Sequence, residues 1–281
     1  FSGVQHPMEW TKYAQERGWD VLLDCAAFAP SNRLDLAEVL PDFVPLSFYK
    51  MFGYPTGVGC LLARKSSLDK LVRPWFAGGT ITIASVQAEK HFLAEGEQAF
   101  EEGTLNYLNI PAVEIGLRHL QNIGIETIHD RVASLTSWLL GSLLALRHSN
   151  GTGVVRVYGP TDMKARGGTL TVNFYDPQDV LIDHRRIDAL AGRAGISLRT
   201  GCFCNPGAGE LAHGLTQEDM AAAFADGERM TFEQFLSVLE DRDGKSAGAV
   251  RISMGLASNF ADVYKFWEFA QGFIDHVAGE V

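Results

Sequence analysis

The stretch 41–62, PDFVPLSFYKMFGYPTGVGCLL, decides the fold of this 281-residue chain. Its apolar run FVPLSFY at 43–49 predicts a buried strand that ends at Lys50, and GVGCLLAR at 57–64 predicts another strand after a turn rich in glycine and proline. The earlier run WDVLLDCAAFAP at 19–30 predicts one more buried strand. Because the connections between these runs are too varied for simple hairpins, we expect a mixed sheet in an α/β domain.

The rest of the chain divides into a helical part and a part of mixed character. Helical patterns occur at 7–17, 84–100, 110–124 and 126–147. Further on, we predict strands at 154–159, 168–175, 196–201 and 249–255, helices at 183–195, 216–227, 231–241 and 260–277, and a DG turn at 243–244. These patterns predict a large domain over 1–120 and a small α+β domain over 121–281.

The composition excludes several classes of protein. A formal net charge of −10 argues against a nucleic-acid or anionic-membrane surface, because phosphate recognition needs basic patches. The apolar stretch 138–146 is far shorter than the roughly 18 residues that span a bilayer. Four cysteines, two of them one residue apart, make a poor disulfide framework, so we expect free thiols and a cytoplasmic location.

Lys50 and Asp24 are the first candidates for chemistry. A partly desolvated lysine at the end of a strand has a lowered pKa and can form an imine, although a lysine in such a place more often extends to water. Asp24 closes the preceding apolar run, where an acid can pair with a protonated pyridine nitrogen. A strand-end aspartate is more often a helix cap or a turn residue, so the pair alone is only suggestive.

Six segments carry a family resemblance, and they occur in this order: FSGVQHP, VLLDCAAFAP, PDFVPLSFYKMFGYPTGVGCLL, FEEGTLN, LRTGCFCNPGA and GKSAGAVRISMG. Together they resemble the aminotransferase domain of the molybdenum cofactor sulfurases, of class V aminotransferase fold, and more distantly the cysteine desulfurases. The resemblance extends over nearly the whole chain. It implies the α/β fold type I of the pyridoxal-phosphate-dependent transferases, with a partial large domain, and pyridoxal 5'-phosphate as the cofactor.

The resemblance implies cofactor-binding roles for four residues near the quoted stretch. Lys50 matches the lysine that binds the cofactor covalently, and Asp24 matches the acid that keeps its ring nitrogen protonated. Ser47 falls where the family places a phosphate ligand. Tyr49 stands where related desulfurases have a histidine.

Three further positions match the family's phosphate and substrate contacts. Gly103 and Thr104 match a loop that reaches the phosphate of a neighbouring subunit, which implies a homodimer. Arg251 matches the arginine that grips the substrate carboxylate, a task that suits a planar fork of donors. Without the family match, a surface ion pair would be the better interpretation of Arg251.

Cys204 falls at the position of the desulfurase nucleophile. A thiolate there would attack the sulfur of cofactor-bound L-cysteine and leave alanine and an enzyme persulfide. The alternatives for Cys204 are a small buried hydrophobic residue, or one member of a metal-binding pair with Cys202. A C-x-C pair without a second ligand cluster does not favour zinc, so we predict no metal. Cys25 and Cys60 lie in predicted strands, where core packing is expected.

Two positions and the start of the chain depart from the family pattern. Ala27 stands where desulfurases carry a glutamine against the cofactor, which fits the molybdenum-cofactor branch better, and Gly209 stands where those sulfurases often carry a further cysteine. The chain starts at Phe1 in the middle of the family pattern, so we expect a fragment or a processed piece.

These residues support one main hypothesis and two alternatives. The main hypothesis is a transferase that takes sulfur from L-cysteine and passes it to an acceptor, such as molybdenum cofactor. The first alternative is a class V aminotransferase or lyase without sulfur transfer. The second is an inactive truncated homologue that serves as an interaction module.

Overall fold

A computed structural model describes residues 1–225, 229–243 and 246–281, without the side chains of 241–243. The chain forms two compact units, one of residues 6–129 and one of residues 1–5 with 130–281. The division between the units falls within the helix Ile125–Ala145, and the domain boundary near 120 stays a prediction. The end of the predicted helix 216–227 and part of the predicted turn 243–244 lie outside the described residues.

The 6–129 unit combines short strands with peripheral helices. Its strands are β1 (Phe43–Ser47), β2 (Gly59–Ala63), β3 (Ile81–Ser85) and β4 (Lys90–Leu93). Its helices are α1 (Glu9–Gln15), α2 (Phe48–Phe52), α3 (Lys65–Leu68), a 3₁₀ helix (Gly96–Phe100), α4 (Ile110–Ile123) and the start of α5 (Ile125–Ala145). β1 pairs with β2 and β3 with β4, both antiparallel.

The predicted strand at 19–30 is reduced to one bridge. Leu22 makes a parallel bridge with Phe43, and Trp19 and Leu22 are 71% and 60% exposed, so this segment is not the buried strand that its apolar run predicts. The chain turns at once after Asp24, because Asp24 Oδ1 accepts the N–H of Ala26. Such an Asx turn replaces the strand ladder with a local hydrogen bond.

The predicted helix at 84–100 is wrong. β3 and β4 form a hairpin there, with Ser85 opposite Lys90, and only the 3₁₀ helix after it is helical. The turn is closed by the Ser85 hydroxyl, which accepts the N–H of Ala88, and by Glu89 at a φ of 50°. The alternation in ITIAS, with its β-branched residues, favours the strand over the helix.

A buried carboxylate ties the first elements of this unit together. Asp42, directly before β1, accepts hydrogen bonds from the Val21 N–H at 2.8 Å, the Gln15 amide at 2.9 Å and the Ser67 hydroxyl at 2.7 Å. Burial alone would raise the pKa of Asp42, but these hydrogen bonds and the nearby Arg64 lower it to about 2. The carboxylate therefore fixes α1 and the 19–24 segment against the start of β1.

Replacing Asp42 with alanine should lower the free energy of unfolding by about 3 kcal/mol at neutral pH, because three donors lose a charged acceptor. The folded pKa lies below the unfolded value of about 3.9, so this contribution is fully present above pH 4 and is lost as the pH falls toward 2. Urea unfolding at pH 7 and at pH 2.5 measures both effects. Asp69→Ala, at an exposed carboxylate of the same unit, is the control, and an equal loss in both variants would contradict the prediction.

The second unit is a five-stranded sheet covered by helices. Its strands are β5 (Val155–Tyr158), β6 (Thr169–Tyr175), β7 (Leu181–Ile182), β8 (Arg199–Gly201) and β9 (Ala249–Ser253), in the order β5-β6-β9-β8 with β7 on β6. Its helices are α6 (His184–Arg193), α7 (Pro206–His213), α8 (Gln217–Ala223), α9 (Phe232–Asp243) and α10 (Phe260–Gln271). α7 and β7 are absent from the sequence prediction.

The two faces of this sheet differ in chemistry. On one face Leu170, Val172 and Phe174 of β6 are fully buried, and the Phe174 ring lies 4.8 Å from that of Phe273. The other face of β6 is polar and includes Thr171 and Asn173. Because directly opposed residues of antiparallel strands share a face, Arg251 of β9, opposite Thr171, belongs to the polar face.

The long helix α5 carries an apolar stripe. The predicted stripe of this helix is confirmed, since Ile128, Val132, Leu135, Leu139 and Leu143 are all buried. In the described ranges, no helix is both long and apolar enough to cross a membrane.

Candidate active site

Lys50 lies on the short helix α2, directly after β1. The predicted strand ends at Ser47, two residues earlier than expected, and Ser47 precedes the helix with extended backbone while its hydroxyl makes no capping hydrogen bond. Phe48 and Met51 are buried and anchor the helix, whereas Lys50 is exposed. Lys50 therefore lies on a single helical turn between the buried residues Phe48 and Met51.

The helix that carries Lys50 is supported by a close contact with α4. A Cβ built on Gly116 would overlap the ring of Phe52, so α2 approaches α4 closely only because residue 116 is glycine. We did not predict this support from the sequence. A glycine inside an amphipathic helix is the signal that marks such a contact.

Replacing Gly116 with alanine should displace Phe52 and lower the stability by roughly 2 kcal/mol, as overpacking does. The matched control is Gly141→Ala in α5, where a Cβ meets nothing within 4 Å. That substitution should instead stabilise the chain by roughly 1 kcal/mol through helix propensity. Thermal unfolding of both variants measures whether each substitution lowers or raises the stability. A stabilising effect of Gly116→Ala would contradict the close contact.

Asp24 and Lys50 each follow one of two neighbouring parallel segments. Leu22 bridges Phe43 in parallel, and the Leu23 N–H donates to the Phe43 carbonyl at 2.8 Å. Asp24 follows its segment by two residues, and Lys50 follows β1. Because the two segments run in the same direction, Asp24 and Lys50 each lie beyond the carboxyl end of their own segment.

The carboxylate of Asp24 keeps one oxygen available. Oδ1 accepts the Ala26 N–H at 2.9 Å, and among the described residues nothing donates to Oδ2. Asp24 is exposed. The turn role that the sequence left open for Asp24 is therefore present, and it fixes the carboxylate without occupying both oxygens.

The other predicted cofactor residues of this unit are exposed or half-buried. Ser47 is half-buried, Tyr49 is 47% exposed, and Gly103 and Thr104 are exposed on the segment after the 3₁₀ helix. Gly103 has a φ of 80°, a conformation that glycine adopts without strain.

Cys202 and Cys204 lie on the segment between β8 and α7 in the second unit. Gly201 pairs with Ala249 at one end, and the Asn205 side chain caps α7 by accepting the Ala208 N–H at the other. Cys202 is half-buried and Cys204 is exposed. A free, exposed thiol on a short segment between fixed ends is suited to attack a bound substrate.

Arg251 lies beside this cysteine segment. It is half-buried on β9, opposite Thr171 on β6 and Arg199 on β8. Its guanidinium carbon lies 4.8 Å from the centroid of the Phe203 ring. The structure therefore brings Arg251 and the cysteine segment together within one unit.

The two remaining cysteines lie in the 6–129 unit. Cys25 is buried, and burial, followed by the charge of Asp24, raises the pKa of its thiol to about 11. Cys60 is only half-buried, so its predicted core position is only partly correct. Burial also raises the pKa of Cys60. Both thiols stay protonated at neutral pH and are poor nucleophiles.

A buried polar cluster on the second unit's sheet was missed by sequence reasoning. The Asn173 amide donates to the Tyr158 hydroxyl and to the Gly248 carbonyl, both at 3.1 Å. Burial, followed by the nearby His184, lowers the pKa of His213 to about 4, so His213 is neutral at physiological pH. No sequence pattern marks these residues, because they come from separate elements.

The fold defines the class: the chain has the fold type I of the pyridoxal-phosphate-dependent transferases. It belongs to the class-V aminotransferase family, which matches residues 1–266. The molybdenum cofactor sulfurase of Solanum lycopersicum is 36% identical over 274 residues, covering 96% of this chain and 32% of that protein. The chain thus spans about a third of the length of this curated relative.

Solved structures show the same fold. An apo cysteine desulfurase from Thermococcus onnurineus NA1 has a TM-score of 0.69 and 22% identity, and the match covers 97% of this chain and 57% of that one. The cystine C-S lyase C-DES, in complex with cysteine persulfide, has a TM-score of 0.58 and 18% identity, over 88% of this chain and 50% of that one. These structures confirm the predicted fold class, and the family match with the sulfurase relative confirms the predicted family resemblance.

Proposed function

We propose that this chain carries the catalytic residues of a pyridoxal-phosphate-dependent sulfurtransferase that takes sulfur from L-cysteine. The observation that supports the proposal is the parallel bridge between Leu22 and Phe43, since the two segments it joins lead in the same direction to Asp24 and to Lys50. The family membership and the sulfurase and desulfurase relatives support the same chemistry.

The residues of the 6–129 unit fit the cofactor. Lys50 offers an exposed amine for covalent attachment, and Asp24 offers a carboxylate oxygen for the protonated ring nitrogen. Ser47 offers a hydroxyl that does not cap α2, so it is available to a phosphate. When bound, pyridoxal phosphate supplies an electron sink for the amino acid that it carries.

Tyr49, Gly103 and Thr104 complete the proposed phosphate contacts. Tyr49, beside Lys50, offers a hydroxyl that can donate to the phosphate. Gly103 and Thr104 lie on an exposed segment, and we propose that they reach the phosphate of a second copy in a homodimer.

The second unit supplies the substrate and sulfur contacts. Arg251 grips the carboxylate of L-cysteine through its N–H edge, and Lys50 moves protons as general base and acid. The Cys204 thiolate attacks the sulfur of the substrate, so that an S–S bond forms and the substrate's C–S bond breaks. The electron pair and one proton end on the substrate carbon, and the products are alanine and a persulfide on Cys204.

We propose that the persulfide sulfur is passed to a molybdenum cofactor and that the reaction takes place in the cytoplasm. The sulfurase relatives support the acceptor. The net charge of −10 does not favour nucleic acid as a partner.

Product analysis tests the proposal. The chain is incubated with pyridoxal phosphate and L-cysteine, and alanine, sulfide and protein-bound persulfide are measured. Equal amounts of alanine and transferable sulfur are expected. Pyruvate and ammonia in place of alanine would indicate a lyase, a keto acid that retains the sulfur would indicate a transaminase, and no turnover with no cofactor uptake would support an inactive homologue.

A further inference from the structure

The residue between the two neighbouring cysteines has an unusual backbone conformation. Phe203 has a φ of 54°, in the left-handed region that bulky side chains rarely adopt. Gly201, two residues earlier, also has a positive φ, but glycine adopts it freely. A phenylalanine persists in this region only where its surroundings hold it.

Two contacts hold the ring of Phe203. The guanidinium carbon of Arg251 lies over the ring at 4.8 Å from its centroid, and the Phe1 ring lies 5.6 Å away on a tilted contact. Phe1 is itself held, because its carbonyl accepts the Thr171 hydroxyl at 2.5 Å. Cation–π contacts of this kind stabilise a ring and a guanidinium together.

The segment around Phe203 is fixed by hydrogen bonds at both ends, and in the middle it is held by the packed Phe203 ring. β8 pairs with β9 before it, and the Asn205 cap of α7 follows it. Phe203 is thus the residue whose packed side chain sets the path between Cys202, which is half-buried, and Cys204, which is exposed. With the ring turned toward Arg251, the Cys204 thiol is on the solvent side.

We infer that Phe203 is a positioning residue that couples the substrate arginine, Arg251, to the nucleophile, Cys204. The inference rests on the proposed function for the roles of those two residues. The guanidinium carbon lies over the ring of Phe203, and a carboxylate accepts from guanidinium N–H groups, so Arg251 links the ring to the substrate. A carboxylate that orders Arg251 thereby also orders the segment that presents Cys204.

The test compares the alkylation of the two cysteines in one molecule. Iodoacetamide is added to the chain without cofactor or cysteine, and peptide-resolved mass spectrometry gives the rate for each thiol. In Phe203→Leu, which removes the ring, we expect the rate at half-buried Cys202 to rise about fivefold while that at exposed Cys204 stays within about twofold. Arg251→Gln should give the same change.

The double variant and a conservative variant decide whether the two residues act together. Phe203→Leu with Arg251→Gln should raise the Cys202 rate no further than either single change, and Phe203→Tyr, which keeps the ring, should restore the original pattern. An unchanged Cys202 rate in Arg251→Gln, or additive effects in the double variant, overturns the coupling. If Phe203→Leu does not fold by circular dichroism, Phe203→Tyr and Arg251→Gln still give the deciding comparison.

The proposed function is tested separately by turnover. If the alkylation pattern is as expected and Cys204→Ser still releases alanine, the coupling stands and the nucleophile assignment fails. If Cys204→Ser is inactive and the Phe203 and Arg251 variants leave the alkylation rates unchanged, the nucleophile assignment stands and the coupling fails.

Discussion

Replacing Cys204 with serine is expected to abolish transfer of sulfur from L-cysteine, while the cofactor absorbance of the chain is retained. A serine hydroxyl is not deprotonated at neutral pH and cannot form a persulfide, so the loss should exceed about 10³-fold or reach the background. The residues proposed to bind the cofactor all belong to the 6–129 unit and do not include Cys204, so we expect binding of the cofactor to be retained. Alanine and sulfide release, measured with saturating cysteine, gives the effect.

The neighbouring thiol provides the matched control for that experiment. Cys202 is half-buried on the same segment, and Cys202→Ser should keep most of the turnover if Cys204 is the nucleophile. Both variants replace a sulfur atom with oxygen, at positions two residues apart. A difference in turnover between them therefore reflects the position of the thiol. Sustained alanine and sulfide production by Cys204→Ser would end the assignment.

The sequence predicted best where a periodic pattern coincided with the packing that buries it. The stripe of α5 is an example, because Ile128, Leu135 and Leu143 recur at helical spacing over about four turns and all are buried. The strands at 154–159, 168–175 and 249–255 were also predicted, since β-branched residues and bounding glycines mark them. In these elements local preference and tertiary contact agree.

The failures lie where a local polar group overrides an apolar run. At Asp24 the side chain accepts a backbone N–H and ends the extended segment, and at Ser85 the hydroxyl closes a hairpin where a helix was expected. Both residues were visible in the sequence. Whether the polar side chain or the apolar pattern decides the local structure depends on the segment that packs against it. A single sequence does not identify that segment.

The candidate site divides in the same way. Lys50 and Cys204 were identified from motifs, and both are exposed, so the partial desolvation expected for Lys50 is not seen in the structure. The support from Gly116 and the ring of Phe203 over Arg251 could not be identified, because each joins residues far apart in the chain. Motifs mark the groups that react, whereas the groups that position them are found by packing.

Replacing Lys50 with alanine is expected to abolish covalent attachment of pyridoxal phosphate and with it all turnover of cysteine. The reason is chemical, since removing Lys50 takes away both the proposed attachment point and the proposed proton carrier. Borohydride reduction of the loaded chain, followed by peptide mass spectrometry, should place the pyridoxyl group on Lys50 in the original chain and nowhere in Lys50→Ala. Turnover should fall by at least about 10³-fold.

Two control variants accompany that experiment. One tests whether a positive charge at position 50 is enough, and the other tests whether labelling is specific to Lys50. Lys50→Arg keeps a cation on α2 but cannot form the covalent link, so it should be as inactive as Lys50→Ala. Lys65→Ala removes an exposed lysine of α3 in the same unit and should leave labelling and turnover unchanged. A pyridoxyl group on Lys65, or label that persists after Lys50 is removed, would show that the attachment lies elsewhere. Such a result would also remove the support that Lys50 gives to the role proposed for Asp24 at the ring nitrogen.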